Sequence, residues 1–561
     1  MRGLIFLSLL AGTAAPATAS TIIVEERGLS DYVQGRYAAA TGELEQAADL
    51  YEGALGYAPE DPYLLKRTFD LAVEAGDEKL AVGVARRLVD EAPFDSAVAM
   101  LLTADALQRK DWDDLNSRLD GLASSGFGSL VAPIARAWAL EARSKEKNAR
   151  AALAGASPEG LAESYWVEHR GHVALATGKE EEAIAAYQPL IEGDEGANVR
   201  IRLALAEALQ EDGQDAEAKV VLDAALDHPD VLAARKLLAD GKKLRFAPQD
   251  AREGVATMLL RIAADLSNQR TVPIALTFAR IATWLAPDNS TAWLMTSQLL
   301  ARSEELAPAL AAARQIDDED PSAGMARGQE AALLSGLDRK PEALQMLELA
   351  ASAPGATARD HMLLGDAYQD ADRFDDALVA YRTAQTMPIE SDDVRWQLFF
   401  LIGAAEEQRG DWQAAEVALR QALAIAPDEA ITLNYLGYTL LDRGMKLDEA
   451  VAMIEEAHRL EPNDGHITDS LGWAQYRVGD YEKAVATLEE AIRSVPGDAT
   501  INDHLGDAYW QVGRRIEARF RWQAALEGEP SDKQIAAINA KLRYGYERGV
   551  ALAQADGEPR L

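Results

Sequence analysis

Residues 469–498 read DSLGWAQYRVGDYEKAVATLEEAIRSVPGD and bring Asp469, Ser470 and Arg477 within one short stretch. An acid, a serine and a cation suggest acyl transfer, in which a serine attacks a carbonyl once a base has taken its proton. No histidine recurs at a fixed offset that would activate Ser470, so no nucleophile is assigned. A second candidate is His169-x-x-His172 on an expected helix. Two imidazoles at that spacing could share a metal, but the sequence shows no third ligand. His466 and His504 stand apart from this pair and read as surface or groove residues. No phosphate-binding loop, dinucleotide fingerprint or H-E-x-x-H occurs. The expectation is therefore no catalytic residue, no metal and no cofactor.

The bulk of the sequence narrows the classes further. The 561 residues exceed one compact core, so several domains or a repeat array are expected. Alanine and leucine dominate and β-branched residues are sparse, which favours helix. The net charge of −36 repels nucleic acid and anionic lipid, and attracts a basic protein segment. With no cysteine, disulfides, thiolate chemistry and lipid attachment at a cysteine are excluded. Residues 1–19 have the form of a secretory signal: Arg2, an apolar run from Leu4 to Ala11, then Ala17-Thr18-Ala19. Cleavage after Ala19 would leave a chain starting at Ser20, expected in the periplasm. No later segment is apolar enough to be expected to span a membrane.

A long period organises the rest. Gly403, Gly437, Gly472 and Gly506 follow one another at steps of 34, 35 and 34 residues. Ala415, Ala450, Ala484 and Ala518 keep the same rhythm, as do Ala422, Ala491 and Ala525 and the prolines Pro427, Pro496 and Pro530. Near the start, Gly35, Gly42, Ala47, Tyr51, Ala54 and Pro59 fill the same places. Further units carry Gly171, Gly178, Ala183 and Tyr187, then Gly213, Ala218 and Ala225, then Gly365, Ala377 and Tyr381. These residues resemble the tetratricopeptide repeat, a helix–turn–helix of about 34 residues. In that frame a glycine inside the first helix lets the second lie almost against it. Gly479 ends the first helix in a left-handed conformation, and Pro496 stops the second. One hairpin cannot bury its apolar side alone, so neighbours must stack.

The expected fold is all-α: an α-solenoid of about 12–13 such hairpins forming a superhelix. Its expected parts are the signal (1–19), N-terminal repeats (20–110), an irregular helical segment (111–160) and middle repeats (161–245). Divergent repeats (246–355), C-terminal repeats (356–530) and a capping helix with tail (531–561) follow. The break near 240–255 contains Lys242, Lys243 and Arg245, a small basic cluster read as a solvated loop.

The resemblance implies that first helices line a concave groove where protein ligands bind. Its exposed slots are the second, fifth, ninth, twelfth and thirteenth of each unit. In the C-terminal units the fifth slot holds Asn434, Asp469 and Asp503, and the ninth holds Tyr438, Trp473 and Asp507. The twelfth and thirteenth hold Leu441 and Asp442, Tyr476 and Arg477, then Trp510 and Gln511. An aromatic row beside carboxylates suits a protein or peptide partner with basic segments. Packing between repeats is the competing reading for Trp473 and Tyr476, and the favoured one for Trp510. The acidic fifth slot departs from the lysine and asparagine that clamp a terminal carboxylate in chaperone-binding relatives.

Residues 433–485 are similar to exported repeat proteins of Gram-negative envelopes, including lipoprotein adaptors of carboxyl-terminal processing proteases. Those adaptors carry lipid on a cysteine, which this chain does not have. The resemblance implies a non-enzymatic periplasmic scaffold that grips a protein partner and delivers clients to an envelope protease. An assembly factor for polymer export or outer-membrane complexes is the alternative in the same class. A hydrolase hidden in the 111–160 or 240–255 breaks is disfavoured, because neither is long enough for an enzyme domain. Self-association is a further option that such arrays allow.

Overall fold

The computed structural model describes residues 17–91, 95–123, 126–153, 161–193, 198–225, 228–267, 271–353, 356–389 and 391–555. The expected signal, 1–19, lies outside the described residues up to residue 16. The described residues form 31 helices and no strand, as an all-α chain of helical hairpins should. None of these helices is long and apolar enough to cross a membrane. Two compact units divide the chain, Met1–Met346 and Leu347–Leu561.

The C-terminal unit follows the sequence period closely. Ala430–Asp442 pairs with Leu447–Leu460, Gly465–Arg477 with Tyr481–Ser494, and Ala499–Gln511 with Arg515–Glu527. Asp464 and Asp498 cap two of the first helices, accepting from the amides of His466 and Ile501 at 2.7 and 2.8 Å. Gly479 has φ +88°, which an L side chain resists, and it closes the Gly465 helix. Inside the hairpins the glycines are notches. A Cβ on Gly472 would fall 2.6 Å from Leu488 Cγ, and one on Gly506 2.5 Å from Trp522 Cδ1. Gly403 faces Leu419, Gly437 faces Ile454 and Gly35 faces Tyr51 in the same way. Ala484 and Ala518 are fully buried. Each notch is thus filled by a large side chain one turn beyond the paired alanine. After Pro530 the helices Asp532–Tyr544 and Tyr546–Ala555 close this end.

Packing in the N-terminal unit does not follow chain order throughout. The helix Ala251–Asp265 packs on Gly126–Glu141, and Val272–Leu285 packs on Ser96–Gln108 and Pro62–Ala75. Arg280 crosses this seam, donating to the Val73 and Glu74 carbonyls at 3.1 Å each. Gly254 allows the closest approach, since a Cβ there would fall 2.0 Å from Trp138 Cε2. The intervening hairpins have their own apolar core, running from Ala174 to Ala247, beside the main core of the unit. The chain leaves the main core, builds these middle hairpins and comes back. Its way back is the non-helical stretch between the helix Pro229–Ala239 and the helix Ala251–Asp265.

Candidate functional site

The first helices of the C-terminal unit line a groove of about 430 Å³. Asn434 and Tyr438 come from the Ala430 helix, Asp469 and Ser470 from the Gly465 helix, and Asp498 and Ile501 from the next turn and helix. Glu407, Asp442 and Arg443 complete its polar wall. Arg443 bonds Glu407 at 2.8 Å and lies 4.9 Å from the Trp412 ring centre, so this cation is already engaged. Asp442 faces Arg477 at 3.8 Å. Burial lifts the Asp442 carboxyl above its usual range, with Arg477 and Arg443 pulling the other way. Burial raises the Tyr438 phenol too, and the carboxylates Asp469 and Asp442 add to that. Asn434 is half-buried, with its Oδ1 turned into the protein, enclosed and without a hydrogen-bond partner.

The remaining expected groove residues lie behind this opening and are covered. Trp473 and Tyr476 are buried and stack at 4.7 Å with planes 6° apart. His504 stacks on the other face of Trp473 at 4.0 Å, and its Nδ1 sits 3.0 and 3.1 Å from the two Asp469 oxygens. His504 is therefore a core residue of the unit, not a surface or groove residue. Burial opposes its charge, but the Asp469 carboxylate and its hydrogen bond, with Asp503 and Asp507, outweigh that and raise the imidazole pKa. Asp503 and Asp507 are buried beneath Lys541, whose Nζ donates to each at 2.8 Å. Trp510 is half-buried, 5.3 Å from the Trp522 ring, and donates to Glu547 at 3.1 Å. The exposure expected for Asp469, Trp473, Tyr476, Asp503 and Asp507 is corrected: the next repeat, or the closing helix, lies over each. Arg477 is half-buried beside the opening. Ser470 donates to the His466 carbonyl at 3.1 Å.

The tetratricopeptide repeat family model matches residues 32–96, 362–430 and 436–499. These stretches are tetratricopeptide repeats. The chain is 48% identical over 73 residues to a TPR repeat-containing protein of Pseudomonas aeruginosa; the match covers 13% of this chain and 12% of that relative. Among solved structures it is similar to Cut9–Hcn1, an APC/C hetero-tetramer, at 14% identity over 95% of this chain and 99% of that chain, with TM-score 0.41. It is also similar to a thermophilic TPR protein of Thermus thermophilus, at 20% identity over 35% of this chain and 100% of that chain, with TM-score 0.28.

The ninth and twelfth slots of the repeat period have an occupant elsewhere in the chain. Glu207 and Gln210 fill these slots on the helix Val199–Glu211, judged by their distance from Gly213. Gln210 accepts from the Leu244 amide at 2.7 Å and donates to the Lys242 carbonyl at 2.9 Å. Glu207 accepts from the amides of Phe246 and Ala247 at 2.5 and 2.7 Å, and from Gln249 Nε2 at 2.9 Å. Leu244 and Ala247 are buried while Lys242, Lys243 and Arg245 point outward. The returning chain is therefore held as a non-helical peptide across the groove face of a middle repeat. The period marks the slots of Glu207 and Gln210 but not what those side chains hold. The distance of Glu207 from Gly213 matches that of Tyr438 from Gly444, and this was the available signal.

The His169–His172 pair has a structural role. Trp138 Nε1 donates to His169 Nδ1 at 3.2 Å, and His172 Nδ1 meets the Tyr187 hydroxyl at 2.8 Å. Burial drives both imidazoles to the neutral form, that of His172 to a pKa of about 3. Beside them Glu168 is enclosed by Arg200, Arg261 and His172. Among the described residues no group of three or more ligating side chains is placed to hold a metal.

Proposed function

We propose that this protein is a non-enzymatic scaffold whose C-terminal groove grips an extended, basic segment of a protein partner. One observation carries the reading. The same helix face that holds residues 242–249 through Glu207 and Gln210 in a middle repeat is open beside Tyr438 in the C-terminal repeats. Side chains in these slots can hold a polypeptide main chain, and the open groove is rich in carboxylates. Export to the periplasm fits the signal-like residues 1–19. Delivery of clients to an envelope protease fits the resemblance in residues 433–485.

Site-specific photo-cross-linking tests the groove. A photoreactive residue at Tyr438 should capture a defined segment of one partner, whereas the same residue at the exposed Val417 should not. Identical capture from both positions overturns the reading. Mass spectrometry of the exported protein should find Ser20 at its N-terminus, and a cytoplasmic chain that retains Met1 removes the periplasmic assignment.

A further inference from the structure

The hairpin that ends the repeats carries a face unlike the rest of the surface. Residues 514–548 hold eight lysines and arginines against five acids, in a chain with 56 and 92. On the helix Arg515–Glu527, Ile516 and Phe520 stand about one turn apart and are 84% and 68% exposed. Ile516 is the most exposed large apolar side chain among the described residues. Arg519 shares their helix face and donates to the Leu542 carbonyl at 2.6 Å. That bond joins the face to the end of the closing helix, where Tyr544 is exposed. The guanidinium groups of Arg543 and Arg548 lie 5.4 and 5.2 Å from the centre of its ring.

Acids are plentiful in this chain, and exposed arginines elsewhere fold onto one a turn away: Arg339 on Glu342, Arg373 on Asp376 and Arg459 on Glu456. Arg519, Arg543 and Arg548 pair with no carboxylate among the described residues. Glu517 and Glu547, the acids nearest to them in sequence, are engaged by Arg514 and by the Trp510 indole. We infer that this face docks an acidic amphipathic helix supplied by a protein partner. Exposed apolar residues four apart form one half of a helix–helix contact, in which ridges enter grooves. Three guanidinium groups beside them select carboxylates flanking the apolar side chains of the other half. A second copy of the same face is disfavoured, since arginine would meet arginine. An anionic membrane would confront the whole chain, whose net charge of −36 opposes it, whereas a helix meets the patch alone. The inference stands apart from the groove: it concerns a second helix and the closing helices, and a segment of opposite charge.

The probe is a fluorescent helical peptide with leucine along one face and glutamate along the other, titrated into the full chain and followed by anisotropy. One companion peptide replaces every glutamate by lysine, and another replaces every leucine by serine. The expected result is binding of the acidic amphipathic probe to the wild type, weakened by added salt, and no binding of either companion. Ile516→Ser combined with Phe520→Ser should weaken the probe at least tenfold at an unchanged melting temperature, because both side chains are exposed. Arg543→Gln combined with Arg548→Gln should weaken it severalfold and flatten its salt dependence. Val417→Ser, at an exposed apolar position on another second helix, should change nothing.

The docking face is overturned if the wild type ignores the acidic probe, if the lysine peptide binds equally, or if neither double variant changes affinity. Should the serine double variant fail to fold, the glutamine double variant decides alone. Two other occupants are read from the same proteins. Flotation of the wild type with phosphatidylglycerol vesicles, lost in the serine double variant, would assign the face to a membrane and discard the helix. Self-association in sedimentation, lost in that variant while the probe stays unbound, would assign it to a second copy and discard the helix as well.

Discussion

The helices Val199–Glu211 and Ala430–Asp442 occupy the same place in their repeats but differ in what lies on them. On the first, Glu207 and Gln210 are engaged by the chain's own residues 242–249. On the second, Tyr438 and Asn434 face an open groove. The Ala499 helix is a third state, with Asp503 and Asp507 closed by Lys541. The three differ in whether a later part of the chain passes over them. Occupancy of these slots is set by connectivity, and a free slot marks a place the chain does not serve.

The comparison can be broken at its closed positions or sharpened at its open one. The largest effect is expected from Lys541→Met, which leaves two buried carboxylates without their cation and should cost the C-terminal unit about 3–5 kcal/mol in urea denaturation. Adding Asp503→Asn and Asp507→Asn should return much of that loss; no recovery would mean that packing of the closing helix, not its charge, holds this end. Trp473→Ala should cost a similar amount, about 3–5 kcal/mol, because the indole is packed between Tyr476 and His504. A mutant that melts like the wild type would put Trp473 back on the groove surface. Glu207→Ala strips acceptors from two amides and should cost about 2–3 kcal/mol. Amide exchange at Phe246 and Ala247 should rise with it, and protected amides would show that the segment stays without its clamp.

Acidity should separate the two units. The His169 and His172 pKa values are depressed by burial, so the folded chain holds fewer protons than the unfolded chain below about pH 6.5. Stability of the N-terminal unit falls there by up to about 1.4 kcal/mol per pH unit for each imidazole. The His504 pKa is raised, so its contribution is full below about pH 6.5 and is lost as pH rises through the folded value. Melting of wild type and His504→Gln across pH 5 to 9 should show the stability difference shrinking at the alkaline end. A difference that grows there would reverse the assignment. The smallest effect is reserved for the open slot. Ser470→Ala removes one buried hydroxyl bonded within its own helix to the His466 carbonyl and should change stability by no more than about 1 kcal/mol. A larger loss would mean that the serine is part of a closed contact.

Much of this was legible from spacing. Gly403, Gly437, Gly472 and Gly506 are notches because two helices meet there in every repeat, and a contact repeated at one offset leaves a period. The slots that line the groove follow from the same period, which placed Asn434 and Tyr438. What sits over a slot does not. Whether Asp503 is bare or capped depends on Lys541, which falls outside the repeat and carries no offset of its own. His504 reads as an exterior residue from sequence because a lone histidine in a repeat has no visible partner, and Asp469 becomes that partner only when adjacent first helices stack. The Trp138–Gly254 contact was equally hidden. It joins helices far apart in the chain and occurs once, so no rhythm could announce it.

That single contact has a consequence for how the molecule can change. Because the Gly126 and Ala251 helices touch directly, the hairpins strung between them hang from a junction rather than continue a column. Their separate core makes them a side branch, free to lengthen, shorten or be exchanged while the trunk on which they grow keeps its own packing.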